Sequence, residues 1–495
     1  MKKLLAVVFA VLLATSLFAT AMAADLAGTQ QTLSILGIGG WKPSALAQEI
    51  GAELFADYAK ENFGYDVTIT FSEAPFDALF QKAATSLAAE SNEYNIIISD
   101  SQWLGALSEP GWIIQLNDLI AANPALQVEW YSKSASDAYT LYPDGSDKIF
   151  GLPQEADVLI MYVRAKYFTD PAEREAFAAK YGWELPADSS VEAWEDIDFV
   201  KYQQICEFFT RPDEGLYGTT IQFSKIYDYL TGSLYPYFWS AGEEVWDPAT
   251  GKVEGTLNTE KNAEMLAFSK AMMAYCPPGA IDVDIGGIVD NFANKKTVTG
   301  WQWAAQGADM MIEGEEVWGV ILPGARMEDG SVNRCSSLGG QPWVVNAYNS
   351  EAQMQVVTDF LNWWYSDATQ LEFAKRGGSP LVKRVVESEG FEDLQPWFSA
   401  YKYMMLDGNS KDFWHVPQYA EMLAVQQEEW SAFMAGNDGS VEAAKAVLDS
   451  IAAKQDAKDL RRAGGDPDRR GRHGRGGSRH GGTGTGRGRK PHGPL

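Results

Sequence analysis

The sequence has few of the residues on which most enzyme mechanisms depend. Of its 495 residues only four are histidines, and only His415 precedes the Arg/Gly-rich segment that begins at Arg461. Ser-His-Asp and Cys-His mechanisms would both need that single histidine. The sequence also has no Gly-x-Ser-x-Gly, His-Glu-x-x-His or Walker motif. Paired carboxylates, which a glycoside hydrolase uses, are the catalytic chemistry that remains open.

Cysteine is equally scarce. The three cysteines, Cys206, Cys276 and Cys335, lie far apart in the sequence. An odd number allows at most one internal disulfide. The spacing excludes a local zinc site. We therefore expect buried, reduced cysteines and neither a metal ion nor another cofactor.

The sequence also has no apolar run long enough for a membrane helix, and its first residues contain a shorter apolar run. Lys2 and Lys3 precede an apolar run from Leu4 to Leu13, and Ala21-Met22-Ala23 places small residues at the cleavage positions. This pattern predicts a secretory signal peptide over residues 1–23, too short in its apolar core to span a bilayer. The residue directly after Ala23 is not a cysteine, so we expect a free periplasmic protein without a lipid anchor.

Positive charge is concentrated at the carboxyl end. Residues 461–495 carry a net charge of +8, so the total of −27 leaves −35 on the first 460 residues. So acidic a body argues against nucleic acid as a partner. The tail has almost no apolar residues and is predicted to be disordered. It is either an Arg-Gly arm for nucleic acid or a composition-biased extension, and we favour the extension.

What the sequence does contain is a βαβαβ pattern. Thr32–Leu36, Val67–Phe71 and Ile96–Ile98 are predicted strands, with helical patterns between them. Such a pattern is typical of an open parallel sheet with helices on both sides. Ligands bind beyond the carboxyl ends of such strands. The candidates at these ends are Trp41, Glu73, Asp100 and Ser101, although Ser and Asp also serve as ordinary helix caps.

A second apolar strand follows the segment Gly151–Asp157. The run Val158–Val163 has no alternation, which suits a strand buried on both faces as in a parallel sheet. Gln154, Glu155 and Asp157 stand at its entrance. They are either a solvated loop end or part of a ligand site where the chain crosses between two lobes.

Four segments together resemble a known family. They are FGLPQEADVLIMYVRAKYF at 150–168, YPYFWSAGEEVWDP at 235–248, TGWQW at 299–303 and LGGQPWVV at 338–345. Over Leu33 to Leu460 the chain resembles bacterial extracellular solute-binding proteins of carbohydrate ABC transporters, the group that includes maltose-binding protein. The resemblance implies an α/β fold of two lobes, the type II periplasmic-binding-protein fold. Each lobe is expected to be a mostly parallel sheet flanked by helices, joined by a multi-crossing hinge.

The resemblance also implies domain boundaries. We expect lobe 1 to comprise residues 24–151 and 323–385, and lobe 2 to comprise residues 152–322 and 386–460. The crossings are predicted near Gly151–Asp157, Val317–Gly324 and Pro380–Glu392.

The site implied by the resemblance is an aromatic, polar cleft between the lobes. Indole rings stack on the C–H faces of a sugar, and carboxylates and amides bind its hydroxyls. Trp41, Trp239, Trp301 and Trp303 are the expected stacking residues, and core packing is the alternative for each. The expected polar and backbone contacts are Glu73, Asp100, Ser101, Gln154, Glu155, Asp157, Gly340 and Gln341, with Trp343 beside them.

The expected function is capture of a sugar or polyol, without catalysis, for an ABC importer whose permease lies in the inner membrane. We expect a monomer. A periplasmic glycoside hydrolase with a carboxylate pair is the alternative. A ligand carrier for a chemoreceptor is a third class, which neighbouring permease genes would distinguish from transport.

Overall fold

The computed structural model describes residues 25–248, 250–413 and 415–463. The predicted signal peptide lies outside these ranges, as does the predicted tail from residue 464 onward. The first three tail residues, Arg461–Ala463, instead end a long helix, so the folded chain extends slightly past the predicted boundary. Among the described helices, none is both long and apolar enough to cross a membrane.

The strands are numbered in chain order. They are β1 (Gln30–Ile38), β2 (Asp66–Ala74), β3 (Ile96–Ile98), β4 (Leu152–Pro153), β5 (Leu159–Arg164), β6 (Thr299–Trp303), β7 (Val317–Val320), β8 (Ala325–Arg326), β9 (Val332–Asn333), β10 (Ser336–Ser337), β11 (Pro342–Val345) and β12 (Ser410–Lys411).

The helices cover both sheets. The α-helices are Lys42–Ile50, Ala56–Phe63, Phe76–Ala88, Leu104–Ser108, Asn117–Ala122, Lys133–Thr140, Ala165–Thr169, Pro171–Tyr181, Val191–Trp194, Phe199–Phe209, Tyr229–Ser240, Glu260–Ala271, Ile285–Ala293, Glu351–Trp364, Asp367–Lys375, Lys383–Val386, Phe398–Met404, Tyr419–Ala435 and Val441–Ala463. A π-helical turn, Gly51–Phe55, joins the first two. Short 3₁₀ helices are Ser101–Trp103, Pro124–Leu126, Pro212–Glu214, Met272–Tyr275, Ala280–Asp282, Ala304–Met310 and Phe391–Asp393.

The first lobe is built on a five-stranded sheet in the order β2-β1-β3-β11-β4. Strands β1, β2 and β3 run parallel, which confirms the predicted βαβαβ unit. Gly64 ends the first helical segment at a φ of +78°, a conformation that glycine adopts without a steric penalty. The returning strand β11 is antiparallel to β3. The carboxyl ends of β1, β2 and β3 therefore meet at one edge.

The second lobe differs from the prediction in strand direction. Its sheet has the order β6-β5-β7, and β5 is antiparallel to both neighbours. All six residues of β5 are buried, as its apolar run predicted. Burial on both faces comes from the layers that cover the sheet and is independent of strand direction, so the inference of a parallel sheet was wrong. Residues 217–220 run beside β6 through backbone hydrogen bonds without forming a regular strand.

Three crossings connect the lobes, and one lies later than predicted. The first lies between β4 and β5. After β7 the chain stays with the second lobe: Arg326 pairs with Asp196 and Asp198, and Ser336 Oγ donates to the Leu159 carbonyl. The return occurs at residues 338–341, not at Val317–Gly324, because the β8–β9 hairpin first packs on the second lobe. The third crossing lies between Val382, bridged to Trp130, and Trp397, packed on Gly319.

Candidate functional site

A small cavity lies where the two lobes and the hinge meet. Its volume is about 20 Å³, room for about one water molecule. Its lining residues come from both lobes and from the last hinge segment: Trp41, Phe76, Asp100, Ser101, Gln102, Tyr227, Asp228, Tyr229, Ile285, Trp303, Leu338, Gly339 and Gln341. This volume is far below that of a monosaccharide, so this cavity by itself does not hold a sugar in this form of the protein.

Two hydrogen bonds join the lobes directly across this cavity. The Tyr227 hydroxyl of lobe 2 donates to Asp100 Oδ2 of lobe 1 over 2.5 Å. The Gln102 amide of lobe 1 donates to Asp228 Oδ2 of lobe 2 over 2.7 Å. Each carboxylate is thus bound by the opposite lobe. Burial raises the pKa of both Asp100 and Asp228, and repulsion from Asp100 raises that of Asp228 further.

Aromatic rings form much of the remaining wall. Phe76 lies edge-on to Trp41, with the ring centroids 5.4 Å apart. It also stacks on Tyr227 of the other lobe at 5.3 Å. Trp303 lies at the carboxyl end of β6 and packs beside Gly232 and Gly339. Apolar ring faces with polar groups between them suit a ligand that has C–H faces and a hydroxyl rim.

The predicted hinge residues Gln154, Glu155 and Asp157 are fully buried behind the cavity wall. Glu155 Oε1 accepts a hydrogen bond of 2.6 Å from Trp41 Nε1. Asp157 Oδ1 accepts from the backbone N–H groups of Val158, at 2.8 Å, and Ala305, at 3.0 Å. They are not among the cavity's lining residues, so the structure does not support the predicted direct hydroxyl contact.

Burial also governs the charge of these two hinge carboxyls. It raises the pKa of Asp157 above its ordinary value, although the two backbone donors act in the opposite direction. Burial and repulsion from Asp157 raise the pKa of Glu155. Glu155 holds a wall residue of lobe 1, and Asp157 holds the segment that follows Trp303 in lobe 2. The pair therefore positions both walls of the cavity.

Two predicted tryptophans lie in the interior of lobe 2. Trp301 is fully buried and stacks between Tyr202, at 5.9 Å, and Tyr237, at 5.3 Å. Trp239 lies on the helix Tyr229–Ser240, and its ring centroid is 4.9 Å from that of Tyr235. Their packing places them in the core of lobe 2, away from the cleft where they were expected.

Other predicted residues also lie outside the cavity lining. Trp343 packs edge-on against Phe360 and Trp364 in the core of lobe 1. Gly340 lies close to the Tyr139 ring, where an added Cβ would come within 2.6 Å. Glu73 is exposed at the end of β2. Of the expected set, the structure brings Trp41, Asp100, Ser101, Trp303 and Gln341 together at the cavity.

Sequence reasoning missed the lobe 2 segment Tyr227–Tyr229, which leads into the helix Tyr229–Ser240. It follows an irregular segment, so the rule that ligands bind beyond the carboxyl ends of strands does not indicate it. Its Tyr-Asp-Tyr composition, with a carboxylate between two aromatic residues, was the available signal. Phe76 and Gln102 were also missed, although Gln102 follows the predicted site residue Ser101 directly and Phe76 lies three residues after the predicted Glu73.

The cysteines fulfil their prediction. Cys206, Cys276 and Cys335 are all buried and unpaired. Burial raises the pKa of the Cys276 and Cys335 thiols to about 12, which keeps them protonated and unreactive at neutral pH.

Comparison with known sequences identifies the family. The family described as bacterial extracellular solute-binding protein matches residues 53–398. The chain belongs to this family. Its members are binding proteins that work outside the cytoplasm, with ABC permeases as their partners.

Solved structures share the two-lobed fold at low sequence identity. An ABC transporter solute-binding protein from Agrobacterium radiobacter K84, in complex with ribitol, is 19% identical with a TM-score of 0.66, covering 87% of this chain and 98% of its own. Maltose-bound MalE3 of T. maritima is 18% identical, with a TM-score of 0.66. The match covers 85% of this chain and 99% of MalE3. A solute-binding protein from Agrobacterium vitis S4 with bound D-mannitol is 16% identical, with a TM-score of 0.62. The match covers 88% of this chain and 99% of the Agrobacterium vitis protein.

Proposed function

We propose that this protein binds a sugar or polyol between its lobes, leaves it chemically unchanged and delivers it to an ABC importer. The observation that carries the proposal is the cavity itself, in which Trp41 and Phe76 of lobe 1 face Tyr227 and Trp303 of lobe 2. Carboxylate and amide groups lie between these rings. This combination matches the alternating apolar and polar surfaces of a polyhydroxylated ligand. The ribitol, maltose and mannitol bound by structural neighbours support the same class.

The two-lobed arrangement supports a clamp mechanism. With the lobes parted, the walls that carry Asp100 and Asp228 are separate and open to solvent. With the lobes closed, each carboxylate is bound by the opposite lobe. A ligand that contacts both walls only when the lobes are closed binds the closed form more tightly and so favours it, as in other hinge-closing proteins.

The sequence also supports a proposal for the cellular setting. We propose that residues 1–23 direct export, that the mature protein is periplasmic without a lipid anchor, and that it works as a monomer without nucleic acid. The Arg/Gly-rich tail is proposed to be dispensable for binding. A transport role is distinguished from a sensing role by sugar uptake in cells that lack the gene.

The test is thermal melting of the mature protein against sugars, polyols, amino acids and polyamines. A true ligand at ~100 times its dissociation constant should stabilise the folded protein by about 2.7 kcal/mol. Stabilisation only by amino acids or polyamines would overturn the sugar or polyol class. Release of reducing ends during incubation with oligosaccharides would instead support the hydrolase.

A further inference from the structure

The central cavity has an unusual balance of charge. Asp100 and Asp228 approach it from opposite lobes, and their exposed fractions are only 5% and 7%. No lysine or arginine is among the described residues that line it. The buried His415 is bound by Asp144 and Asp412, one carboxylate on each ring nitrogen. Among the residues that the structure describes, neither cavity carboxylate therefore has a basic side chain as a partner.

The hydrogen bonds to these carboxylates come from neutral groups. Asp100 Oδ1 accepts from the Gln102 backbone N–H at 3.1 Å and from the Ser101 hydroxyl at 3.4 Å. Asp100 Oδ2 accepts from Tyr227, and Asp228 Oδ2 from the Gln102 amide, as described above. Neutral donors leave the negative charge uncompensated, and burying an uncompensated carboxylate is costly. The raised pKa of both groups expresses that cost.

The remaining polar groups at the cavity add acceptors. Gln102 and Gln341 are 3% and 2% exposed, and both line the cavity. The Oε1 atom of each is buried without a hydrogen-bond partner. The amide nitrogens of both are already engaged, with Asp228 and with the Gly339 carbonyl. The cavity therefore offers two carboxylates and two unpaired carbonyl oxygens to an incoming group.

We propose that the ligand carries a protonated primary amine, as an amino sugar or an amino-alditol does, and that its ammonium group lies between Asp100 and Asp228. An ammonium group has three donors and no acceptor, which complements this set of acceptors. It also supplies the missing positive charge. Trp41, Phe76 and Trp303 line the same cavity, and an aromatic ring whose face meets a cation attracts it. This inference rests on the proposed function and narrows its ligand class.

The first experiment uses the unaltered protein and matched ligand pairs. Isothermal titration at pH 7 compares 2-amino-2-deoxyglucose with glucose and with N-acetylglucosamine, and 1-amino-1-deoxysorbitol with sorbitol. We expect at least one amine to bind ten times more tightly than its hydroxyl counterpart, and N-acetylation, which removes the charge, to abolish that advantage. Equal or tighter binding of the neutral member of each pair would overturn the inference and leave the proposed function intact.

The outcomes separate the two proposals. If neither putrescine nor any sugar or polyol binds, charged or neutral, both the proposed function and this inference fail. If putrescine binds while every sugar and polyol fails, the sugar or polyol class is wrong and the ammonium site is supported.

A variant tests the location of the charge. Asp228→Asn keeps the shape of the side chain and an oxygen that can accept from Gln102. We expect it to reduce the ratio of amine to hydroxyl affinity from at least tenfold to about one. Asp57→Asn, an exposed lobe 1 position on the helix Ala56–Phe63, is the matched control and should keep the ratio. A folded Asp228→Asn protein that keeps the full preference would place the charge recognition elsewhere and overturn the assignment.

Discussion

The indole Nε1 of Trp41 donates a hydrogen bond of 2.6 Å to Glu155 Oε1, and both groups are buried. This contact ties a wall residue of lobe 1 to the hinge segment between β4 and β5. The other carboxyl oxygen of Glu155 is buried without a hydrogen-bond partner. Glu155 therefore acts on the cleft through Trp41.

Replacing Glu155 with Leu should weaken ligand binding on the order of tenfold. The change removes the acceptor and leaves the buried Trp41 N–H unpaired, which costs roughly 1–3 kcal/mol. Part of the lost affinity should arise because the Trp41 ring is no longer held in one orientation. Glu155→Gln is the control, because its amide oxygen can still accept from Trp41 and it removes the repulsion from Asp157. Titration calorimetry measures both affinities, and equal weakening by the two variants would contradict the positioning role.

Replacing Tyr227 with Phe should favour the open form. The variant keeps the ring that stacks on Phe76 and loses only the hydroxyl that donates to Asp100 across the lobes. Because the acceptor is a carboxylate, we expect a cost of about 1.5–3 kcal/mol to closure. Stopped-flow measurement should show ligand dissociating on the order of ten times faster. Tyr58→Phe, on the outer helix of lobe 1, is the control, and a rate unchanged in Tyr227→Phe would refute the link between this bond and closure.

The lobe 1 half of the site could be predicted because a general rule governs it. Parallel strands place their carboxyl ends at one edge, and Trp41, Asp100 and Ser101 lie just beyond β1 and β3. The rule needs only strand positions, which alternation and apolar runs indicate. Glu73 satisfies the same rule and is nevertheless exposed, since the rule does not specify which side chains turn inward.

The lobe 2 half could not be predicted in the same way. Trp301 and Trp303 lie two residues apart on β6 and so point to the same face. Trp301 lies beneath the helices that carry Tyr202 and Tyr237, whereas Trp303 lies at the end of the strand. Where a helix layer ends over a strand is a tertiary property that local sequence does not encode. The direction of β5 relative to its neighbours is another such property.

Replacing Trp301 with Ala should therefore lower stability and leave ligand affinity largely intact. Truncating a fully buried Trp costs about 3–5 kcal/mol through lost transfer free energy and the cavity left behind. Urea unfolding of the ligand-free protein measures this cost. Trp303→Ala is the informative partner, because Trp303 lines the cavity and its loss should weaken binding by about 2 kcal/mol if it acts as an anchor. A Trp301→Ala variant with normal stability and lost binding would contradict the core assignment and show that Trp301 belongs to the binding site.

His415 should make the stability of the protein fall at alkaline pH. Its Nδ1 lies 2.7 Å from Asp144 Oδ1 and its Nε2 lies 3.0 Å from Asp412 Oδ2, so both nitrogens carry protons when both carboxylates are ionised. Burial by itself would lower the pKa of His415, but the two carboxylates outweigh it and raise the pKa to about 10. Asp137 and Lys411 line the same surface pocket.

A folded pKa above the unfolded value means that the His415 charge contributes its full stability below about pH 6.5, and that this contribution is lost as the pH rises through about 10. Replacing His415 with Gln removes the charge at every pH and leaves Asp412 buried without its cation, at a cost of about 3–5 kcal/mol. Urea unfolding at pH 7, 9 and 10.5 should show the difference between the two proteins shrinking with pH. Lysine and tyrosine residues that titrate in this range are common to both proteins and cancel. A difference that stays constant from pH 7 to 10.5 would mean that His415 contributes by packing alone.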